Sequence, residues 1–272
     1  MCTTLVFSKR IVILNASLPD RREVVLVTGG SRGIGAELVK QLDRTRFEVW
    51  VAGRGFPAAC GADDRFFSVD FSDIVAVGQF LEELRVLGKR IDILVNNAAT
   101  VSDALLDPHG VSENYIVNVQ SPTRITESLQ MNRMLGCVIN VISGNGYPSR
   151  DPASLSRLTG VKGYFETKHR FAQIQKHLAK KYQTHCLFFS PGPTNTQLQV
   201  KIIDSFIGRR IPSLAKMLNW LNSLMLHNAV KTSLGLAQLC ARHSEIDSFS
   251  TVHSNGKVER PDGEGPHKEN EL

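Results

Sequence analysis

Short apolar runs alternate along this chain with longer stretches in which apolar residues recur at helical spacing. Each run is rich in β-branched or aromatic residues and has the length of one buried strand. The predicted strands cover residues 24–27, 47–52, 65–69, 91–95, 137–142 and 186–189. The predicted helices cover residues 34–42, 74–87, 113–129 and 164–181. Because strands that alternate with helices need crossover connections, the pattern predicts an α/β fold, with a single Rossmann-type, doubly wound parallel sheet and helices on both faces.

The connection between the second and third predicted strands departs from this alternation. Residues 55–64 read GFPAACGADD, and Gly55, Pro57 and Gly61 favour a loop or a single turn over a full helix. We therefore expect one covering helix to be missing here, which would leave this side of the sheet more open.

The pattern assigns one domain to residues 22–258, with a lead segment at 1–21 and a charged tail at 259–272. The tail is rich in Pro, Gly and charged residues, and we expect it to be disordered. Hydrophobic residues make up 42% of the chain, which is ample for one large core. No stretch approaches the roughly 18 apolar residues of a membrane span. The apolar run at 11–14 is short for a signal-peptide core, so we predict a cytoplasmic protein and leave organellar targeting by the N-terminal segment open.

The formal net charge of the whole chain is +6, and without the acidic tail it is +9. No basic run or patch interleaved with aromatic residues accompanies this charge, so we expect no nucleic-acid partner. A pocket for anionic phosphates would explain part of the excess. The five cysteines are scattered without a C-x-x-C pair, which predicts reduced thiols and neither disulfides nor a metal site.

A glycine-rich turn, TGGSRGIG at 28–35, stands between the first predicted strand and the helix that follows it. Gly29 permits a tight turn, Gly33 lets a pyrophosphate approach the backbone, and Gly35 lets the helix pack close to the strand. The helix N-terminus adds free N–H groups and the positive end of its dipole. This order of strand, turn and helix predicts a dinucleotide site. The predicted contact residues here are Gly29, Ser31, Arg32, Gly33, Ile34 and Gly35.

Tyr164 and Lys168 lie one helical turn apart, so their side chains should face the same pocket. An ammonium beside a phenol favours the phenolate, so we expect Lys168 to lower the pKa of Tyr164 from about 10 toward neutrality. Tyr164 would then protonate a carbonyl oxygen as hydride reaches the carbon, or take the proton from an alcohol in the reverse direction.

With these motifs in place, the sequence resembles the short-chain dehydrogenase/reductase family over about residues 22–258. The matching elements follow the family's order: residues 28–35, Asp70, Asn96-Asn97-Ala98, Asn118, Ser143, Tyr164 with Lys168, and Pro191-Gly192 with Thr196. The resemblance implies a nicotinamide-dependent oxidoreductase. It also implies a homodimer or a homotetramer as an expected assembly, since the family often pairs its subunits through the helices around Asn118 and Tyr164.

The resemblance assigns roles to the matching residues. It implies a catalytic set of Asn118, Ser143, Tyr164 and Lys168. In that set Asn118 would hold a water that relays protons, Ser143 would bond the substrate oxygen, and Lys168 would also hold the nicotinamide ribose. The cofactor would further contact Asp70, Asn97, Ala98, Pro191, Gly192 and Thr196. Ala99 stands where the family usually has glycine. This is a modest departure, and its methyl group would narrow the space in which the backbone approaches the cofactor.

The residues around the end of the second predicted strand indicate which dinucleotide is used. An Asp or Glu there would bind a ribose 2′-hydroxyl, but the strand ends Ala52-Gly53-Arg54. Arg32, in the glycine turn, supplies a second guanidinium. Two such groups suit a 2′-phosphate, so we predict NADP(H) rather than NAD(H).

Two further stretches concern the substrate and the branch of the family. The long spacing between Ser143 and Tyr164 is similar to that in retinol-dehydrogenase-like members and related carbonyl reductases. Residues 254–258 (SNGKV) resemble the final strand of the same branch. The stretch that begins at Pro191 instead resembles sepiapterin-reductase-like members, so the branch stays open. Residues 197–227 carry a Leu- and Met-rich stripe that reads as a lid over an apolar substrate, as a core or dimer helix, or as a membrane-surface helix.

We expect an NADPH-dependent reductase of a small apolar ketone or aldehyde, or the reverse alcohol dehydrogenase, with Tyr164 as general acid or base. Two alternatives stay open from the sequence. One is a catalytically silent dinucleotide-binding sensor or scaffold. The other is an enzyme that works at a membrane surface on lipid carbonyls.

Overall fold

The computed structural model describes residues 21–106, 110–143, 156–192, 194–195 and 227–260. The strands, in chain order, are β1 (Glu23–Thr28), β2 (Phe47–Gly53), β3 (Arg65–Ser68), β4 (Ile91–Asn96), β5 (Leu135–Val141), β6 (His185–Ser190), β7 (Thr194–Asn195), β8 (His227–Asn228), β9 (Thr251–His253) and β10 (Val258–Glu259). Eight of them form one sheet in the order β10-β9-β6-β5-β4-β1-β2-β3. Every pairing in this sheet is parallel except that of β10 with β9. The short strands β7 and β8 pair with each other in parallel.

The helices are α1 (Gly33–Gln41), α2 (Ile74–Leu87), α3 (Glu113–Tyr115), α4 (Ser121–Met131), α5 (Gly160–Tyr182) and α6 (Ala229–Arg242). A π-helical turn, Ile116–Gln120, joins α3 to α4, so the helix predicted at 113–129 is one run with a widened middle. The helix predicted at 164–181 begins earlier, at Gly160.

The core lies on both faces of the sheet, as the alternation of strands and helices predicts. Along β1, Val25 and Val27 face a cluster that includes side chains of α1 and α6. Val24 and Leu26 face the opposite cluster, which includes side chains of α2, α4 and α5. All four β1 residues are fully buried, because a strand covered on two sides needs an unbroken apolar run. The predicted doubly wound α/β fold is confirmed.

The crossover between β2 and β3 contains no helix over residues 54–64, all of which the structure describes. Ala59 and Cys60 instead pack against the core beside Phe66 of β3. The end of this loop is held by Asp64, whose carboxylate is almost fully buried and pairs with the Arg44 guanidinium at 2.7 Å. The prediction of a short, helix-free crossover is therefore confirmed.

The final parallel strand is not at 254–258, where the sequence places it. It is β9, where Val252 is buried and pairs with Phe189 of β6. The following residues turn, because Gly256 has a φ of +89° and its N–H bonds the carbonyl of His253 at 2.9 Å. The prediction erred because β9 is only three residues long, too short for its alternation to stand out in the sequence.

All four cysteines in the described ranges carry free thiols. Among the helices that the structure describes, none is long and apolar enough to cross a membrane.

Replacing Asp64 by Ala should lower the free energy of unfolding by about 3 kcal/mol, because it leaves the Arg44 guanidinium without its buried partner. The carboxylate also accepts the Gly61 N–H at 2.8 Å, so the loop would lose an anchor as well. The neighbouring Asp63 is a matched control, since its side chain is 78% exposed and lies 3.9 Å from Arg22. We expect Asp63→Ala to change stability by at most about 0.5 kcal/mol in urea unfolding. Equal losses for the two variants would contradict this account of the crossover.

Candidate active site

The glycine turn follows β1 and lies against the chain that leaves β4. Gly29 and Gly33 have φ values of +69° and +60°, which favour glycine. A Cβ on Gly29 would come within 2.8 Å of the Cα of Ala98, so the two chain segments touch backbone to backbone. In the strand order, β1 and β4 are neighbours with connections that leave in opposite directions, which makes this the switch point where parallel sheets bind ligands.

Hydrogen bonds tie the glycine turn to the end of β4. The Asn97 side chain donates to the carbonyls of Thr28 and Gly29, at 2.9 and 3.2 Å. The Thr28 hydroxyl accepts the N–H groups of Asn97 and Ala98, each at 3.1 Å. A Cβ on Gly35 would press on the Gly29 carbonyl and lie 2.5 Å from the Asn97 amide nitrogen. Gly35 therefore lets α1 seat on the turn, as the sequence predicts.

The N-terminus of α1 suits an anion. Its first turn contains no acidic residue, and no side-chain cap bonds its first N–H groups. The predicted turn residues Ser31 and Arg32 precede it, and Arg32 is exposed. Ile34 packs its side chain against the core on the α1 face.

Arg54 and Asp70 meet beside this turn. The Arg54 guanidinium lies 3.8 Å from the Asp70 carboxylate, and both side chains are substantially exposed. A Cβ built on Gly53 or on Gly55 would lie 4.0 Å from the Ser31 side chain. Because Arg54 stands between these two glycines, it is a neighbour of the glycine turn. Burial opposes ionisation of Asp70, but two hydrogen bonds from Ser72 and the charge of Arg54 outweigh it and lower the pKa of Asp70. The structure thus brings Arg54 and Asp70 together with the turn.

Tyr164 and Ser143 share a hydrogen bond between their side chains. Tyr164 is buried in α5, and Ser143 follows the end of β5. Burial raises the pKa of Tyr164 to about 12, although the bond from Ser143 opposes the rise. The expectation that Lys168 lowers the pKa of Tyr164 toward neutrality is therefore wrong for this structure, because the cost of burying a phenolate dominates.

Lys168 directs its ammonium toward β5. Its Nζ donates to the carbonyl of Val141, two residues before Ser143, and lies 5.1 Å from the centre of the Phe171 ring. Burial lowers the pKa of Lys168 to about 8. Lys168 is thus bonded to the end of the strand that leads to Ser143.

Asn118 is buried in the π-helical turn, and its side chain is engaged by protein atoms. Its amide accepts the Thr100 N–H at 2.8 Å and donates to the Thr100 carbonyl and the Thr167 hydroxyl at 3.0 and 3.1 Å. The Thr167 hydroxyl in turn donates to the carbonyl of Tyr164 at 2.8 Å. Asn118 therefore lies against the helix of Tyr164, and its water-relay role stays a prediction.

Ala99 is half-buried and lies against the cluster that contains Tyr164. It packs with Val101, Val161, Tyr164 and Phe165 in a small apolar cluster. The rings of Tyr164 and Phe165 meet edge to face, with centroids 5.3 Å apart. The alanine in place of glycine thus adds a methyl group to the wall that holds the Tyr164 ring.

Pro191 and Gly192 follow the end of β6, and Gly192 has a φ of +64°. Thr194, which the sequence reasoning did not select, bonds this turn through its hydroxyl. That hydroxyl donates to the Pro191 carbonyl at 3.1 Å and lies 3.2 Å from the Thr232 hydroxyl of α6. Thr196 lies outside the described residues, as do residues 197–226 of the predicted lid and most of the long stretch before Tyr164.

Pro191 and Gly192 follow β6, and the other predicted site residues in the described ranges gather at the carboxyl edge of the sheet in two groups. One group surrounds the glycine turn and includes Arg54, Asp70, Asn97 and Ala98. The other surrounds Tyr164 and includes Ser143, Lys168 and Asn118. Sequence reasoning missed Asn114 and Thr167, which join the segment after β4 to α5. The four-residue spacing of Asn114 and Asn118 is the signal that would have found the first of them.

Comparison with known proteins gives a consistent picture. The family model described as short chain dehydrogenase matches residues 23–205. A short-chain dehydrogenase/reductase of Armillaria gallica is 27% identical over 212 residues, which cover 67% of this chain and 69% of that protein. The 3-oxoacyl-(acyl-carrier-protein) reductase MabA of Mycobacterium avium is 33% identical over 131 residues, 45% of this chain and 49% of that protein. An acetoacetyl-CoA reductase of an Acinetobacter strain is 28% identical over 147 residues, 47% of this chain and 58% of that protein. The match thus spans about half the length of these two bacterial relatives.

Solved structures share the fold. A short chain dehydrogenase family protein from Francisella tularensis superposes with a TM-score of 0.66 at 16% identity, over 86% of this chain and 98% of that one. A variant of the actinorhodin polyketide ketoreductase, solved with NADPH, gives a TM-score of 0.65 at 17% identity, over 85% and 95% of the two chains.

Replacing Gly35 by Ala should lower the free energy of unfolding by about 1–3 kcal/mol, because the new methyl group would press on the glycine turn and on Asn97. Gly78, in the middle of α2, is the matched control. A Cβ there would meet only the Arg124 side chain, at an ordinary 3.4 Å. Gly78→Ala should raise stability by about 0.5–1 kcal/mol through helix propensity. Denaturant unfolding compares the two, and a Gly35→Ala variant as stable as Gly78→Ala would refute the close seating of α1.

Proposed function

The chain belongs to the short-chain dehydrogenase family, a family of oxidoreductases that use nicotinamide dinucleotides, and from this premise we propose that it is an NADPH-dependent reductase of ketones or aldehydes. The observation that carries the proposal is the hydrogen bond between the hydroxyls of Tyr164 and Ser143, with the Lys168 ammonium bonded to the carbonyl of Val141, two residues before Ser143. A hydroxyl pair at the carboxyl end of a parallel strand is placed to bind and protonate a carbonyl oxygen.

The described residues fit a dinucleotide. The positive φ of Gly33 and the uncapped N-terminus of α1 suit a pyrophosphate. When bound, the nicotinamide supplies the hydride that reduces the carbonyl carbon. We propose that Lys168 holds the nicotinamide ribose. The remaining contacts that we propose are the turn residues 29–35, Asp70, Asn97, Ala98, Pro191, Gly192 and Thr196.

Tyr164 is suited to act as the acid. Its phenol carries a proton at neutral pH that it can give to the substrate oxygen, although burial, by raising its pKa to about 12, makes it a weaker acid than an exposed tyrosine. Ser143 holds the Tyr164 hydroxyl and would bond the same substrate oxygen, where negative charge develops. In the reverse direction Tyr164 would accept the proton of an alcohol. Asn118 and Lys168 complete the proposed catalytic set.

Arg54 supports the choice of NADPH. Its guanidinium is exposed next to the glycine turn and is held loosely by Asp70, so it can turn toward a phosphate. β2 does not end in an acidic residue, which is the kind of side chain that binds the ribose 2′-hydroxyl at this position. The actinorhodin ketoreductase structure, which contains NADPH, is in keeping with this choice.

The substrate that we propose is a small apolar carbonyl compound. The acetoacetyl-CoA and 3-oxoacyl reductases among the relatives are named for ketone substrates, which supports a ketone as the reacting group. The apolar cluster of Ala99, Val101 and Phe165 around Tyr164 supports a weakly polar substrate.

Tyr164→Phe should reduce carbonyl turnover by about 10²–10⁴-fold and leave NADPH binding intact, because only the proton donor is removed. The measurement is NADPH oxidation with a panel of aromatic diketones, quinones, retinal, steroids and medium-chain aldehydes. Tyr182→Phe, near the other end of α5, is the control, since that hydroxyl contacts Glu127 at 3.2 Å and should not affect turnover. Full activity in Tyr164→Phe would overturn the mechanism. A wild-type protein that binds NADPH tightly but turns over nothing would favour the sensor or scaffold.

Arg54→Ala should reduce the preference for NADPH over NADH, taken as a ratio of kcat/KM values, by about tenfold or more through loss of a charge-assisted bond to phosphate. Arg85→Ala is the control, because Arg85 is an exposed arginine on α2 that pairs with Glu82. An unchanged ratio in Arg54→Ala would contradict the assignment of the 2′-phosphate to this residue.

A further inference from the structure

Two buried asparagines bind the chain that leaves β4 in the same way. Asn118 accepts the Thr100 N–H and donates to the Thr100 carbonyl. Asn114, four residues earlier, accepts the Ser102 N–H at 2.9 Å and donates to the Ser102 carbonyl at 3.1 Å. Each side-chain amide therefore pairs with both backbone groups of one residue, as a neighbouring strand would do. We call residues 99–103 the post-β4 segment.

The two asparagines bind alternate residues of the post-β4 segment. Asn114 and Asn118 are four residues apart, and the residues that they bind, Ser102 and Thr100, are two residues apart. Both asparagines are at most 1% exposed, so their side-chain amides are shielded from water.

Each asparagine uses its remaining N–H to bind α5. Asn118 donates to the Thr167 hydroxyl, as described above, and Asn114 donates to the Gly160 carbonyl at 2.9 Å. The Gly160 N–H also bonds the Ser102 carbonyl, at 2.7 Å. Tyr164 lies between these two attachment points on the helix. The pair therefore links the post-β4 segment to the part of α5 that carries Tyr164.

Glycines in the first turn of α5 allow this close contact. Gly160 has a φ of +61°, and a Cβ there would lie 2.8 Å from the carboxylate of Asp103. A Cβ on Gly163 would lie 2.9 Å from the Asn114 amide nitrogen. On its other side, the post-β4 segment places Ala99 and Val101 against Tyr164. The segment is thus held on one side by asparagines and packs against Tyr164 on the other.

We propose that Asn114 is a positioning residue of the active site, which together with Asn118 holds the start of α5 against the post-β4 segment and so fixes the place of the Tyr164 hydroxyl relative to Ser143. The inference rests on the proposed function for its catalytic consequence. Asn114 touches neither substrate nor cofactor in this account, and it acts through the backbone of Ser102 and Gly160.

The test is Asn114→Ala, examined by amide hydrogen exchange and by carbonyl reduction. We expect faster exchange in residues 99–103 and 160–164, and a kcat reduced by about 10- to 100-fold with NADPH affinity unchanged. Looser packing would also hydrate Tyr164 and weaken the burial that raises its pKa. Because Tyr164 must be protonated to act as an acid, the variant should lose activity at lower pH than the wild type.

Ser121→Ala is the matched control. The Ser121 side chain is equally buried at the start of α4, and its hydroxyl donates to the Phe71 carbonyl at 2.7 Å, which belongs to neither the post-β4 segment nor α5. The Ser121→Ala variant should be less stable than the wild type but should show the wild-type hydrogen exchange, kcat and pH profile. If Asn114→Ala does not fold, Asn114→Ser, whose hydroxyl keeps part of the bonding, takes its place.

The outcomes separate this inference from the proposed function. Unchanged exchange in both segments, or equal losses of kcat in the Asn114 and Ser121 variants, would overturn the positioning role. A wild-type protein without carbonyl turnover would refute the proposed function, and the exchange data would still decide whether Asn114 links the two segments.

Discussion

Backbone N–H and C=O groups that are shielded from water must be paired, and the half-buried chain that leaves β4 meets this requirement with side chains instead of a strand partner. The Thr28 hydroxyl accepts the N–H groups of Asn97 and Ala98. Further along, Asn118 and Asn114 pair with alternate residues. One end of the segment therefore holds the glycine turn, and the other holds the helix of Tyr164. The relative position of the proposed dinucleotide and proton-donor sites depends on this short stretch.

Burial controls the chemistry of the second of these sites. Burial keeps Tyr164 protonated by raising its pKa to about 12. It makes Lys168 a weaker base by lowering its pKa to about 8. An ammonium that bonds a backbone carbonyl is oriented as well as charged. At neutral pH Tyr164 therefore holds the proton that reduction of a carbonyl requires, while the raised pKa makes its phenol a weaker acid than an exposed tyrosine.

The sequence was most informative where local pattern and backbone geometry decide the structure. The strand runs, the helix-free crossover and the glycine turn were predicted because β-branched runs, prolines and positive-φ glycines act locally. The pKa of Tyr164 was predicted in the wrong direction, because a four-residue spacing shows proximity on a helix but neither burial nor the direction of an ammonium. The start of α5 at Gly160 was missed for a related reason, since glycine disfavours helix and the hydrogen bonds that stabilise this start, one accepted from Asn114 and one donated to the Ser102 carbonyl, are tertiary. Thr196 and the predicted lid lie outside the described residues.

The most direct measurement of the central claim is the fate of the hydride. The protein would be given NADPH deuterated at the transferable position of the nicotinamide, together with a ketone or aldehyde that it turns over, and the product alcohol would be analysed by mass spectrometry. We predict that the alcohol carries one deuterium on the former carbonyl carbon. An unlabelled alcohol, or no alcohol from any carbonyl compound tested, would contradict the assignment of this site as a carbonyl reductase.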